Sequence, residues 1–96
     1  MSERPEATPT VLIDNDRVRV TEWRFAPEAA TGWHTHEYDS VIVPMSTGTL
    51  RLENPDGPVD AELEVGVPYF REAGVKHDVI NASGGEFAFI ETELKQ

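Results

Sequence analysis

From Thr10 onward, apolar and polar residues alternate at a period of two, interrupted every few residues by turn formers. That period belongs to strands with one buried face and one wet face. Val11 and Ile13 open the pattern, and Asp14-Asn15-Asp16 makes a turn. Val18 and Val20 alternate with Arg17 and Arg19, but Trp23 and Phe25 fall on the other parity. A phase shift of one predicts a bulge near Thr21 and Glu22. Pro27 to Ala30 reads as a connection holding a single helical turn. Gly32 opens a short strand through His36. Tyr38 to Val43 forms the next, ended by Pro44, which has no N–H to donate. After a turn at Ser46-Thr47-Gly48, Leu50 and Leu52 mark another strand. Asn54-Pro55-Asp56-Gly57-Pro58 is the strongest turn signal in the chain. Val59, Ala61, Leu63 and Val65 then alternate with Asp60, Glu62 and Glu64, a half-buried strand with an acidic wet face rather than a calcium site. Strands over residues 67–71, 76–81 and 86–94 follow, with Phe87 and Phe89 sharing one face of the last.

No stretch carries an apolar stripe at helical spacing. About nine short strands joined by tight turns predict an all-β sandwich or barrel. Residues 1–9 contain Pro5 and Pro9 and no periodicity, so they are expected to form an arm, mobile or lent to a partner as a strand. Residues 10–96 form a single domain.

Composition narrows the function. Ninety-six residues make one domain with a modest core. The absence of cysteine excludes disulfides, thiolate metal sites and a cysteine nucleophile. The net charge of −10 repels phosphate backbones and anionic lipid, which argues against nucleic-acid and membrane partners. No apolar run approaches the ~18 residues that span a bilayer, and the first residues lack the apolar segment of a secretory signal. A cytoplasmic location is the default expectation.

The chain holds three histidines. His34 and His36, two residues apart in an extended stretch, place both imidazoles on one face. His77 reaches them if the two strands pair or face one another. Neutral imidazole is the commonest protein ligand for divalent transition metals. Three histidines with an open further position make a catalytic rather than a structural pattern.

These residues also resemble a family. Gly32-Trp33-His34-Thr35-His36 followed by Gly48 is similar to the first cupin motif, a glycine, His-x-His, a glutamate and a second glycine. Gly66, Glu72, Ala73, Gly74, His77 and Asn81 reproduce the spacing of the second, Gly-x5-Pro-x-Gly-x2-His-x3-Asn, with Glu72 in place of the proline. The resemblance runs from about Val11 to Leu94. It is nearest to small single-domain bacterial cupins, some of which carry a name linking them to β-alanine degradation. The motif glutamate falls on Val41, which cannot ligate, and the first glycine stands closer to His34 than usual.

The resemblance implies a double-stranded β-helix, the cupin jelly-roll barrel, with one divalent transition metal (iron, zinc, nickel or manganese) inside one end. His34, His36 and His77 are the implied ligands, with Glu37 or Asp39 as open candidates for a fourth. The expected function is a small metalloenzyme acting on a small anionic metabolite at the open metal position, dioxygenase-like chemistry being favoured. The alternative is a non-catalytic metal-dependent binding or sensing module. Tyr38 and Asp39 are the candidate catalytic groups. Counted from Gly66, Tyr69 and Arg71 share a face. If that face is inward, Arg71 either pairs with Glu72, Asp39 or Glu37, or holds a ligand carboxylate in its guanidinium fork. Trp23, Phe25, Trp33, Phe70, Phe87 and Phe89 are expected in the core or a dimer interface. Asn81 is expected to bond the turn into Ala82-Ser83. Unprotected sheet edges predict a homodimer, through residues 10–13 and an aromatic-bearing sheet face.

Overall fold

The structure, a computed structural model, describes residues 4–95. Among these described residues nine strands follow one another: β1 (Thr8–Asp14), β2 (Val18–Phe25), β3 (His34–Thr35), β4 (Asp39–Pro44), β5 (Gly48–Asn54), β6 (Gly57–Leu63), β7 (Tyr69–Arg71), β8 (Lys76–Asn81) and β9 (Phe87–Leu94). They form a five-stranded sheet, β1-β2-β9-β4-β7, and a four-stranded sheet, β3-β8-β5-β6, with every strand pair antiparallel. This is the all-β architecture that the alternation predicts.

The register assigns each residue a face. On the inner face of the five-stranded sheet, Phe25 stands opposite Phe87, Trp23 opposite Phe89, Thr21 opposite Glu91 and Arg19 opposite Glu93. β4 continues these rows with Pro44, Ile42 and Ser40, and β7 with Tyr69 and Arg71. Apolar side chains fill one end. Phe25, Phe87 and Leu50 are almost fully enclosed and pack with Ala29, Ile42, Val79 and Phe89. The Phe25 and Phe89 rings lie 5.5 Å apart. Each large side chain buried here contributes about 1.5–3 kcal/mol.

Asn81 closes this end. Its amide nitrogen donates to the carbonyls of Phe25 (3.3 Å), Ala26 (3.2 Å) and Gly85 (2.6 Å). Its oxygen accepts from the Ser83 N–H and hydroxyl at 3.0 and 2.6 Å, the turn bond expected of it. Gly48 is needed for closeness: a Cβ there would lie 2.7 Å from Ser83 Cβ. The wet strand face also forms, with Asp60 accepting from Arg51 at 3.1 Å and Glu62 from Thr49 at 2.9 Å.

Three local expectations are corrected. β2 runs in unbroken register against β9, so it has no bulge at Thr21 and Glu22. Its inner face is Arg19, Thr21, Trp23 and Phe25 throughout, and Val18 and Val20 face outward. The bulge lies in β1, where Leu12 is the extra residue between Val11 and Ile13. Pro27 starts no helical turn. The Ala29 N–H bonds the Ala26 carbonyl at 2.9 Å and Glu28 has φ 68°, a tight turn with proline at its second position. Finally, pairing starts before Thr10. Ala7 is buried in the core and its N–H donates to the Ala30 carbonyl, the Ala30 N–H donates to the Pro5 carbonyl, and β1 begins at Thr8.

Candidate metal centre

Backbone pairing brings the three histidines together. β3 and β8 place His34 directly opposite His77. His36, just past β3, is held by two backbone bonds: its N–H to the Val75 carbonyl at 2.9 Å, and its carbonyl from the Gly74 N–H at 2.7 Å. Gly74 makes that turn with φ 92°, which a side chain would disfavour. The spacing of His34 and His36, and the Gly74-x2-His77 order, therefore both serve one geometry.

The rings converge through Nε2. His36 Nε2 lies 3.3 Å from His34 Nε2 and 2.9 Å from His77 Nε2. On two of the rings the opposite nitrogen has another partner. His34 Nδ1 sits 2.9 Å from the Gly32 carbonyl, which only accepts, so Nδ1 carries the proton. His36 Nδ1 lies 3.4 Å from Glu91 Oε2, a carboxylate that keeps the proton on that side. The Nε2 lone pairs of His34 and His36 are thereby turned toward the centre of the triad, where His77 Nε2 also lies. Lone pairs this close repel unless a cation or proton lies between them. Metal bonds of about 2.0–2.1 Å separate neighbouring ligand nitrogens by roughly 2.9–3.4 Å. The donor set thus fits a divalent metal. All three ligand atoms lie within 4.8 Å of one another, and neither Glu37 nor Asp39 belongs to the group.

The electrostatics suit ligation. Burial, with Arg71 and the other two histidines nearby, pushes His77 down to about 3. Burial, with His34 and Arg71, pushes His36 down to about 4, against an opposing pull from Glu93. Both are neutral near pH 7, with lone pairs available. Burial raises the Glu91 carboxyl above its ordinary value, with Glu93 adding to the rise and the Trp23 hydrogen bond opposing it. Trp23 Nε1 donates to Glu91 Oε1 at 3.1 Å. A line of contacts therefore runs from Trp23 through Glu91 to His36. Beside it, Arg19 clamps Glu93 with two bonds of 2.7 and 3.0 Å.

The triad forms one wall of a cavity of about 420 Å³. Tyr69 and Arg71 line it, on the inward face that their shared parity implies. Arg71 does not pair with Glu72, Asp39 or Glu37: among the described residues no carboxylate lies within 4.0 Å of its guanidinium. It stands instead 5.5 Å from the centre of the Tyr69 ring. In the row Arg19–Glu93–Ser40–Arg71, Glu93 is satisfied by Arg19, and Ser40 separates it from Arg71. Among the described residues the buried Ser40 hydroxyl has no hydrogen-bond partner. Glu37 also reaches the cavity wall.

Tyr38 and Asp39 do not line the cavity. Asp39 Oδ1 instead accepts the Ala73 N–H at 2.8 Å, bracing the turn ahead of His77. Besides Glu37, the carboxylates lining the cavity are Glu91 and Glu93. Sequence reasoning missed both, along with Arg19. A signal was present. Phe87 and Phe89 share one face, and the same parity carried forward reaches Glu91 and Glu93.

A two-sheet antiparallel barrel with a histidine triad inside one end is a cupin, and the chain belongs to the cupins. Over 95 residues, 99% of this chain and 100% of the relative, it is 59% identical to the beta-alanine degradation protein BauB of Pseudomonas aeruginosa. The crystal structure of a cupin domain from Bordetella pertussis Tohama I matches with TM-score 0.97 and 56% identity over all of both chains. The polyketide cyclase RemF of Streptomyces resistomycificus matches with TM-score 0.74 and 26% identity, covering 99% of this chain and 71% of RemF. No protein-family model matches the sequence.

Proposed function

We propose that this cupin is a metalloenzyme acting on a small anionic metabolite, dioxygenase-like chemistry being the favoured class. The observation that carries the reading is the cluster of three Nε2 atoms, two of them on rings whose Nδ1 is held by an acceptor, on the wall of a cavity that also holds an arginine with no carboxylate partner among the described residues. A divalent metal held by His34, His36 and His77 would supply an open coordination position and, if it is iron, a redox centre for dioxygen. Arg71 offers a planar fork for a carboxylate or similar headgroup. Tyr69 stacks beside that guanidinium and sets its direction. Glu91 fixes the His36 tautomer, and Arg19 neutralises Glu93. The name of the BauB relative supports a small carboxylate-bearing metabolite as ligand.

A second reading, a non-catalytic metal-dependent binding or sensing module, is favoured by one feature. Glu91 is engaged by Trp23 and Glu93 by Arg19, so neither is free as a general base. Dioxygen uptake by iron-loaded protein over short-chain carboxylates separates the two. Uptake above the metal-only background establishes the enzyme; uptake equal to background leaves the binder. In either case Arg71→Met should weaken carboxylate affinity about tenfold, in line with the loss of a charged hydrogen-bond pair. Unchanged affinity removes Arg71 from the site.

A further inference from the structure

The cavity is wider on one wall than on the other. In the five-stranded sheet an inward row crosses every strand, Val11–Thr21–Glu91–Ile42–Tyr69. At about 4.8 Å between strands the row is roughly 19 Å long. The facing sheet has four strands, with β3 at its edge. Ala30 continues the β3 side of that sheet by bridging Ile80, and Glu6 bridges Ala30 from beyond it. β1 therefore sets out from outside β3, and its inward residues Pro9 and Val11 overhang that edge. Both line the cavity and both are exposed, Val11 at 57%. At the far end of the same sheet stand Tyr69 and Arg71. The triad lies under the middle, where Glu91 meets His36. Guanidinium fork, histidines and apolar lip thus follow one another across the cavity. Trp23 stands opposite Pro9 and extends the lip. Of the lining residues on β2, Arg19 alone is charged, and Glu93 clamps it.

We infer that the ligand is a monocarboxylate with an apolar tail, its carboxylate on Arg71, its middle at the triad and its tail over Pro9 and Val11. This rests on the anion-binding role of Arg71 given above. Volume points the same way. A cavity of about 420 Å³ holds the volume of roughly fourteen waters, far more than a two- or three-carbon acid fills. A short acid seated on Arg71 leaves the lip bathed in water. Each methylene laid over the lip removes apolar surface from water on both partners. A second charged end is disfavoured there. A carboxylate over Pro9 and Val11 loses water and finds no donor on either side chain, and the net charge of −10 adds to the repulsion. The atoms that meet the triad then lie within the chain of the ligand rather than at its carboxylate.

The test is calorimetric titration of zinc-loaded protein with acetate, butyrate, hexanoate and adipate. Affinity should rise about threefold per methylene, so that hexanoate binds at least about tenfold more tightly than acetate. Adipate, which ends in a second carboxylate, should bind about tenfold more weakly than hexanoate. Val11→Asp, a polar change at an exposed position, should bring the hexanoate-to-acetate ratio down to about threefold or less. Val65→Asp, the same change at an exposed valine in the turn after β6, should leave the ratio as in wild type. A flat series would overturn the proposal, as would adipate equal to hexanoate or a ratio unmoved by Val11→Asp. Arg71→Met tells this failure from that of the headgroup. A flat series whose affinities all fall in Arg71→Met loses the tail alone. A rising series that Arg71→Met leaves untouched loses the seat of the carboxylate. No binding anywhere in the series sinks both.

Discussion

The two ends of the barrel interior are built from the same strands and spend the same alternation differently. At the closed end, inward positions of β2 and β9 carry Phe25, Trp23, Phe87 and Phe89, and every polar atom of Asn81 is engaged. Two rows further along the same strands, the inward residues are Arg19, Thr21, Glu91 and Glu93. Among the described residues that end keeps a guanidinium without a carboxylate partner, a partnerless hydroxyl and three imidazoles whose Nε2 atoms face each other. One end is complete by itself, and the other is complete only with a guest. The division teaches that stability and function here are separated by distance along a strand, not by domain or layer.

Four measurements press on that division. The largest effect should be at the open end. His34→Ala should bring bound metal, by elemental analysis of untagged protein, down to background. Full stoichiometry in that variant would end the triad reading. Next, Phe87→Ala at the closed end should cost about 3–5 kcal/mol in urea denaturation, from lost burial and the cavity left behind. The fraction that remains folded should bind metal as wild type does. A parallel loss of affinity would mean that the two ends are coupled.

Glu91→Gln probes the boundary between them. Gln keeps the shape and an acceptor for Trp23 but removes the charge beside His36 Nδ1. Metal affinity should fall about 10–100-fold, as for other groups that orient a ligating histidine, while the urea midpoint moves little. A collapse of stability with affinity intact would make Glu91 a packing residue.

The smallest effect is the pH dependence of the metal-free protein. An unfolded histidine takes up a proton near its ordinary 6.5; in the fold His36 waits until about 4 and His77 until about 3. Between those values the unfolded chain binds more protons, so stability is greatest above about pH 6.5 and declines as pH falls toward 3. Glu91, whose carboxyl is raised by burial, acts in the opposite sense and partly offsets the decline. Melting temperatures in chelator should therefore be lower at pH 5 than at pH 7, and His36→Asn should flatten the difference. An equal slope in that variant would place the titration elsewhere.

Much of this was legible in the residues. Strict alternation marked the strands, and the order of Gly32, His34, His36, Gly74, His77 and Asn81 marked the triad and its turns. The misread parts share a physical cause. Arg19, Glu91 and Glu93 are charged residues on an inward parity, and charge ordinarily points out. Treating Val18 and Val20 as the buried set put Arg19 outside and required a bulge that β2 does not have. The sheet inverts the rule twice, with paired charges lining a cavity and aliphatic side chains on the outside. Tyr38 and Asp39 were chosen for nearness in sequence to His36, but pleating sends Asp39 to the face opposite Ser40. The bulge at Leu12 left no mark in the alternation, since Val11 and Ile13 keep an apparent period of two across it.

The position of β9 has a consequence in time. β9, which follows the other eight described strands in sequence, lies in the middle of the five-stranded sheet, between β2 and β4. Until it leaves the ribosome, β1 with β2 and β4 with β7 are separate hairpin-like pieces, their apolar faces open to water. His36 is made early, but Glu91 beside it arrives only with β9. The nascent chain therefore assembles its barrel in one late step, because the pairings that close it are far apart in sequence and wait on loop closure. The β3–β8 pairing that gathers the histidines precedes β9 in the chain, but the Glu91 carboxylate that fixes the His36 tautomer comes only with β9.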